Sequence, residues 1–338
     1  MSISLEHNDA SVRVDELSNG CNLVKVKPKK ESLFLPFSEW ETSYPIELIQ
    51  LILDVKGPAY LCDEIMRDED PAYLHLELSR DLYAYFDSKD FQNKRILDFG
   101  CGSGASTINL ARMFPKSEIV GIELCSDLLS VARRRVEFYR FSNVELMQSP
   151  SGTELPTELG QFDFVIMSAV YEHLLPDERK IIMPKIWEAM YDRGSLFINQ
   201  TPNRMCPIEG HTTGLPLLNY LPKSLTMKAA YKFSNRIEQT DSWEILLRKG
   251  IRGATEREIL HNLSRDKRYR PRLIEPNKQG FHDRIDLWYS ALNPDRKKVL
   301  KRVMKRAMKL AWYGGGVTFM PNLTLVIEKS LNENAAQS

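Results

Sequence analysis

The amino-acid sequence predicts an α/β fold: a doubly wound, mostly parallel sheet of seven strands, with a helical cap before it and an insertion after the fifth strand. Three observations carry that prediction. Short apolar runs alternate with segments whose apolar residues recur at helical spacing. The first run ends in the turn Gly100-Cys101-Gly102-Ser103-Gly104, which opens a helix pattern. With 338 residues, 43% hydrophobic and 27% charged, the chain can build two domains or one elaborated α/β domain, and its composition excludes disordered and fibrous classes.

In chain order, residues 1–32 are polar, with Lys25, Lys27, Lys29 and Lys30 around Pro28, and are expected to form a flexible arm. A helical cap is expected over 33–92, where Ile46, Leu48, Ile49 and Ile52, then Leu74, Leu78, Leu82 and Tyr85 keep helical spacing, broken at Gly57-Pro58 and Asp70-Pro71. The core is expected over 93–200, with buried strands at 95–99, 119–123, 144–147, 162–167 and 195–199 and helices between them. An insertion follows over 201–253, apolar and punctuated by Pro202, Pro207, Pro216 and Pro222, with a helix at 223–233. The core resumes over 254–330. Thr255 and Glu258 form a capping box for a helix over 255–263, strands are expected at 281–289 and 323–328, and a long basic helix runs from about 294 to 312; 331–338 is a tail.

The 46 basic and 45 acidic residues give a net charge of +1, so no overall field draws the chain to nucleic acid or membrane. The halves differ, however: residues 201–338 hold 25 basic against 13 acidic side chains, and residues 1–200 hold 21 against 32. Five scattered cysteines without a C-x-x-C pair support neither a disulfide framework nor a zinc knuckle. A start without a basic, apolar leader and the lack of a membrane-length apolar run predict a cytoplasmic protein.

The glycine turn is the most informative segment. It closes a buried strand and opens a helix, where glycines let the backbone approach a ligand and helix N-terminal amides can donate to it. Glu123 ends the second strand 19 residues after Gly104, where a carboxylate can accept from both hydroxyls of a ribose. Together these predict a nucleoside site, and Gly100-x-Gly102-x-x-Ala105 also satisfies the dinucleotide fingerprint.

The run Ile96-Leu97-Asp98-Phe99-Gly100-Cys101-Gly102-Ser103-Gly104 resembles the first motif of class I S-adenosylmethionine-dependent methyltransferases, which have a Rossmann-like sheet. The resemblance continues through Glu123, Phe162-Asp163-Phe164-Val165, Tyr171-Glu172-His173-Leu174 and Gly194-Ser195-Leu196-Phe197-Ile198, covering about residues 90–200. It implies S-adenosyl-L-methionine as cofactor, with Asp98, Gly100, Cys101, Gly102, Gly104, Glu123, Leu124 and Ser168 around it. The acidic residue that family members carry after the third strand falls on Pro150, which leaves Ser149, Ser151 or a backbone carbonyl to meet the adenine.

Methyl transfer to a hydroxyl needs a base, and histidine is the natural one near neutral pH. His211, in the loop leaving the fifth strand, and His173 beside Glu172, past the fourth, are the catalytic candidates; Asn203, Arg204 and Glu209 could orient an acceptor. No metal is assigned. In ubiquinone-pathway relatives a Glu-x-x-Glu-His segment binds a divalent metal, but here Ala169 replaces the first Glu; Glu172, His173, Glu209 and His211 could still form a site if the loop folds back. His75 reads as packing within the cap, and His7, His261 and His282 lack supporting context. The stretches 39–44 and 60–64 could line the acceptor pocket or pack the cap with solvated carboxylates.

The greasy stretch 215–222 and helix 223–233 suit either a bulky, lipid-linked acceptor or the core of a lid. The segment 296–309 carries eight basic residues in fourteen, with Val299, Leu300, Val303, Met304 and Ala307 on one stripe. It could pack that stripe on the sheet with a solvated basic face, or meet anionic lipid or a phosphorylated acceptor. RNA contact through this face and 265–272 is the weakest reading, as no recognised RNA-binding module is present. The sequence thus predicts methylation, most simply at oxygen, of a small-molecule, carbohydrate or lipid-linked acceptor, with possible peripheral contact with an anionic membrane. Two alternatives stand: a methyltransferase-fold binding protein without catalysis, and a nicotinamide-dependent dehydrogenase.

Overall fold

A computed structural model describes residues 2–29, 33–264, 268–293 and 297–332. Strands β1 (Ser2–Glu6), β2 (Ala10–Glu16), β3 (Asn22–Pro28) and β4 (Glu39–Thr42) form an antiparallel meander in that order. Helices α1 (Ile46–Lys56) and α2 (Leu61–Glu69), a kinked turn at Pro71–His75 and α3 (Leu76–Tyr83) follow. The breaks fall at the expected Gly-Pro and Asp-Pro pairs.

A seven-stranded sheet is built from β5 (Arg95–Phe99), β6 (Glu118–Glu123), β7 (Val144–Gln148), β8 (Phe162–Ser168) and β9 (Met190–Pro202), joined after the short hairpin of β10 (Ile208–Glu209) and β11 (Leu215–Pro216) by β12 (Tyr269–Ile274) and β13 (Asn322–Leu331). Its order is β12-β13-β9-β8-β5-β6-β7. The β5–β8, β8–β9 and β6–β7 pairs are parallel, while β13 runs antiparallel to β9 and β12. This is the mostly parallel α/β sheet that the sequence predicted. The remaining helices are α4 (Ala105–Met113), α5 (Ser126–Tyr139), α6 (Pro176–Glu188), α7 (Lys223–Phe233), α8 (Trp243–Arg248), α9 (Glu256–Leu263), α10 (Arg284–Ser290) and α11 (Lys298–Gly315).

The chain divides into two compact units, one of residues up to 79 with 101–148, the other of 80–100 with 149–338. In the first, the expected flexible arm is a folded sheet. Val12 faces Val26 and Val14 faces Val24 across β2 and β3, and all four are buried against Leu48, Ile49, Ile52 and Leu53 of α1. Lys25 and Lys27, which suggested a loose arm, are with Arg13 the outward half of a period-two pattern; Lys30 lies outside the described residues.

In the second unit, Phe86, Phe91, Phe164 and Phe197 form an aromatic cluster, with the Phe91 and Phe164 ring centroids 4.4 Å apart. The insertion has a small core of its own, Leu218, Ala230, Leu246 and Ile251, while Leu217, Leu225 and Phe233 are exposed.

Two expectations are corrected here. The segment 281–289 is not a strand. Asp283 caps α10 by accepting from the Asp286 amide at 2.8 Å, and the strand beside β13 is β12, an edge position where Pro271 costs no ladder bond. Nor does the apolar stripe of α11 pack on the sheet: Val299, Leu300, Val303 and Met304 are exposed, and Met308 is the buried residue. Residues 294–296 at the start of that basic segment, residues 265–267 of the second one and residues 333–338 of the tail lie outside the described chain. Among the described residues no helix is long and apolar enough to cross a membrane.

Candidate functional site

In the first unit the glycine turn is fixed at both ends. The Cys101 amide donates to Ile122 O at 3.0 Å and the Gly104 amide to Cys101 O at 2.9 Å. Gly104 has φ +86°, and a Cβ there would stand 2.7 Å from Ala132 Cβ of α5, so close packing demands glycine. Gly102 differs. Its φ is +56° and nothing lies within 4 Å of where its Cβ would be, so its backbone borders open space that a ligand can enter. Its amide donates to Glu123 Oε2 at 2.9 Å, and Glu123 Oε1 accepts from the Leu124 and Cys125 amides, each at 2.9 Å. Three amides therefore hold the carboxylate at the end of β6, where it keeps lone pairs for hydroxyl donors. Leu124 beside it is 50% exposed, an apolar surface for a flat ring.

Behind this turn lies a charged network that the sequence reading missed. Arg135 of α5 is fully buried and donates to Ser103 O at 2.9 Å, Ser103 Oγ at 3.1 Å and Glu64 O at 2.6 Å. Ser103 Oγ donates to the Glu64 carboxylate, which also pairs with Lys56 at 2.9 Å. Burial pushes the Glu64 carboxyl upward, but Arg135 and Lys56 overcome it and hold it below the usual carboxylate range. Glu64 is thus no solvated cap residue. The available signal was position: Arg135 follows Val131 by four residues on the apolar face of α5, although Arg133-Arg134-Arg135 looks like a solvated run.

Also in this unit, a cavity of about 630 Å³ is lined by Trp40, Ser43, Glu69, His75, Arg112 and Tyr139 among others. Part of the 39–44 stretch therefore borders a cavity, and so does His75, which had been expected to pack.

In the second unit, Asp98 is buried at the end of β5 and Gly100 follows with φ +72°. Ser149 is buried after β7, Pro150 is exposed, and Ser151 Oγ lies 3.3 Å from Thr153 Oγ1. Ser168 ends β8 with a buried Oγ that has no hydrogen-bond partner. Its neighbour in register is Asn199 of β9, whose side-chain oxygen and nitrogen are likewise buried and unpartnered. The next residues, Ala169 and Gln200, have φ of +53° and +61°, left-handed conformations that non-glycine residues keep where surrounding structure imposes them. Adjacent strands thus end on unsatisfied polar groups at the carboxyl edge of the sheet, where open α/β proteins bind ligands.

The loop after β9 does fold back onto the end of β8. Glu172, fully buried, accepts from Thr201 Oγ1 at 3.1 Å through Oε2, while Oε1 has no partner. His173 Nδ1 lies 2.7 Å from Arg248 O. A carbonyl only accepts, so Nδ1 carries a proton and in the neutral ring Nε2 holds the lone pair, 3.9 Å from Glu172 Oε1. The His211 ring centroid is 5.8 Å from that of His173. Burial pushes the His211 imidazolium pKa down, helped by neighbouring His173, and burial pushes the Glu172 carboxyl up. Nε2 of the neutral His173 ring and the His211 imidazole, whose charged form burial disfavours, can accept a proton from a hydroxyl. One ligand atom from each of Glu172, His173 and His211 lies within 4.8 Å of the others, so the cluster can also hold a divalent cation.

The other loop residues are engaged in holding the loop. Glu209 accepts from the Thr212 and Thr213 amides and Thr213 Oγ1 at 2.6–3.0 Å, Asn203 donates to Thr318 O at 3.0 Å, and Arg204 pairs with Glu258 at 3.0 Å. Glu258 is therefore spent on Arg204 and Arg179, and only the Thr255 half of its expected capping box forms. A cavity of about 300 Å³ is lined by His211, Asn203, Glu209, Asn219, Arg252 and Asn322 among others.

Residues 96–194 match a family model described as a methyltransferase domain. Over 111 residues the chain is 32% identical to the ubiquinone biosynthesis O-methyltransferase of Acinetobacter baylyi, covering 33% of this chain and 44% of that one. Over 147 residues it is 26% identical to a tRNA (guanine-N(7)-)-methyltransferase of Aspergillus fumigatus, covering 42% and 37%. A solved SAM-dependent methyltransferase from Methanosarcina mazei is 16% identical, covering 74% of this chain and 97% of that one, with a TM-score of 0.41. The chain spans about two fifths of the length of the curated relatives it matches.

Proposed function

From the premise that the chain belongs to the class I S-adenosylmethionine-dependent methyltransferase family, we propose that it methylates a hydroxyl oxygen of a small-molecule, carbohydrate or lipid-linked acceptor. When bound, the cofactor supplies an electrophilic methyl on a sulfonium. The open space at Gly102 beside the amide-anchored Glu123 carboxylate supports binding of its nucleoside part: Glu123 would accept from the ribose hydroxyls, and the exposed Leu124 would offer the adenine an apolar surface. Asp98, Gly100, Ser149, Ser151 and Ser168 are the further residues that the family resemblance assigns to the cofactor.

The single observation that carries the oxygen assignment is the 2.7 Å contact of His173 Nδ1 with Arg248 O, which leaves Nε2 as the acceptor nitrogen of the neutral ring. His173 takes the hydroxyl proton as the oxygen attacks. His211 lines the acceptor cavity and, held uncharged by burial, adds no repulsion to the imidazolium that forms. Glu172 beside it offers that cation a carboxylate.

The test is transfer with acceptor libraries, alongside calorimetry with S-adenosylhomocysteine. Binding without turnover on any hydroxyl acceptor favours the non-catalytic alternative. A second reading rests on the unpartnered Glu172 Oε1: Glu172, His173 and His211 would hold a divalent cation, which would supply a Lewis acid for the hydroxyl. Dialysis against a chelator separates the two, because a histidine base survives it.

A further inference from the structure

We propose that α11 docks the protein onto an anionic lipid surface. The helix carries Lys298, Lys301, Arg302, Lys305, Arg306 and Lys309 and no acidic residue. At about 100° per residue, Val299, Leu310, Val303, Ala307, Leu300 and Met304 fall on one continuous arc of about 140°. In an ordinary surface helix such an arc faces the core.

Here the opposite side is the anchored one. Met308 is buried with Ile285 and Met320, and Trp288 and Trp312 pack against them. Lys305 and Lys309 each reach Asp286 at 2.7 Å, and Lys309 also reaches Asp283 at 2.9 Å. The apolar arc is consequently turned outward, with Val299 69%, Leu300 52%, Val303 57% and Leu310 75% exposed. Contiguous aliphatic surface of this kind marks a contact site.

Charge decides what covers it. The arc is bordered by Arg302 and Arg306 on one side, and on the other Lys301 lies beyond Met308. A second copy of this face would bring like charges together around its rim. A nucleic acid would engage the cations but leave the aliphatic side chains in water. An anionic bilayer satisfies both, taking Val299, Leu300, Val303 and Leu310 into the acyl boundary while its phosphates meet the lysines and arginines. At the start of the helix, Lys298, Lys301 and Arg302 with Tyr289, Ser290 and Asn293 line a cavity of about 290 Å³, room for one phosphate headgroup. The inference goes beyond the methyltransferase reading and does not depend on it.

The test is co-sedimentation of the full chain with vesicles of phosphatidylcholine alone and of phosphatidylcholine mixed with phosphatidylglycerol. The protein is expected to pellet with the mixed vesicles only, and less so as salt rises. Each basic residue near an anionic surface is worth about fivefold in partitioning, so Arg302→Gln with Arg306→Gln should weaken binding about twenty-five-fold. Leu300→Asn with Val303→Asn should also release the protein, and both variants should keep the parent's circular-dichroism melting curve, since none of these side chains is buried. Failure to pellet with mixed vesicles, equal pelleting with both kinds, or full retention by the apolar variant overturns the proposal. So does a dimer that the apolar variant dissociates, or RNA binding that vesicles do not compete away.

Discussion

His173 Nδ1 lies 2.7 Å from the backbone carbonyl oxygen of Arg248, and that carbonyl is itself held in place. The Arg248 guanidinium makes two hydrogen bonds of 2.5 Å to the two carboxylate oxygens of Glu178 and donates back to His173 O at 3.3 Å. The imidazole is therefore oriented through its backbone partner, with Nε2 left as the acceptor. Nitrogen-15 NMR should report the Nδ1-protonated tautomer for the neutral His173 ring. His173→Ala is expected to lower kcat by about 10²- to 10⁴-fold, the usual worth of a positioned general base, while S-adenosylhomocysteine affinity stays as in the parent. Unchanged turnover would exclude His173 as the base.

Glu123 gives a prediction for the cofactor side. Charge-assisted hydrogen bonds are worth about 1.5–3 kcal/mol each, so Glu123→Ala should weaken S-adenosylhomocysteine binding by about ten- to a hundredfold or more. Because Glu123 also accepts from the Gly102, Leu124 and Cys125 amides, the substitution loosens the turn as well. Glu123→Gln keeps an acceptor oxygen for one side of that cradle, so it should melt closer to the parent yet still bind less tightly. Calorimetry with both variants checks this, and parental affinity in both would remove Glu123 from the site.

The glycine turn and the β8 edge were legible because each is a local event: a strand ends, a helix starts, and the residue types at the junction state what the backbone must do. Ser2–Pro28 was misread for the opposite reason. Its alternating Val12, Val14, Val24 and Val26 carry the strand signal, but Lys25 and Lys27 on the solvent face dominate a reading weighted by charge. At 281–289, Ile285, Leu287 and Trp288 suit strand or helix, and the cap at Asp283 decides for helix. The Glu172–His173–His211 cluster was visible only as a conditional, because residues 38 apart meet through a loop whose path depends on Glu209 and its two threonines. Arg135 showed itself only by its place four residues after Val131 on the apolar face of α5, and Asn199 carried no signal that separates a buried polar residue from a surface one.

The two buried groups of the cluster pull stability in opposite directions as pH changes. The folded-state pKa of His211 is below its ordinary value, 6.5, so the unfolded chain binds the proton first and stability is lost as pH falls below 6.5. The slope in that window is at most about 1.4 kcal/mol per pH unit. Glu172 is raised above 4.5, so the native state keeps its proton longer and stability is lost as pH rises through that window. Urea unfolding at several pH values should show His211→Gln flattening the acid side, and Glu172→Gln gaining stability near neutrality while losing activity. A Glu172→Gln variant that melts lower than the parent would contradict the direction assigned to this carboxyl.

Arg135 couples the fold to the cofactor turn. Removing one partner of a buried ion pair costs about 3–5 kcal/mol, because the other charge stays buried without compensation. Arg135→Met should therefore destabilise the protein by up to about that amount, since Glu64 keeps Lys56 and Ser103 Oγ but Ser103 O loses its donor. Adding Glu64→Gln removes the stranded charge, so the double variant should recover part of the lost stability. It should not recover ligand affinity, since the guanidinium bonds that fix Ser103 between Gly102 and Gly104 remain absent. Melting curves and S-adenosylhomocysteine titrations on the single and double variants separate the two effects. Recovery of both together would mean that Arg135 serves only to neutralise Glu64, and recovery of neither would mean that it anchors the turn independently of the ion pair.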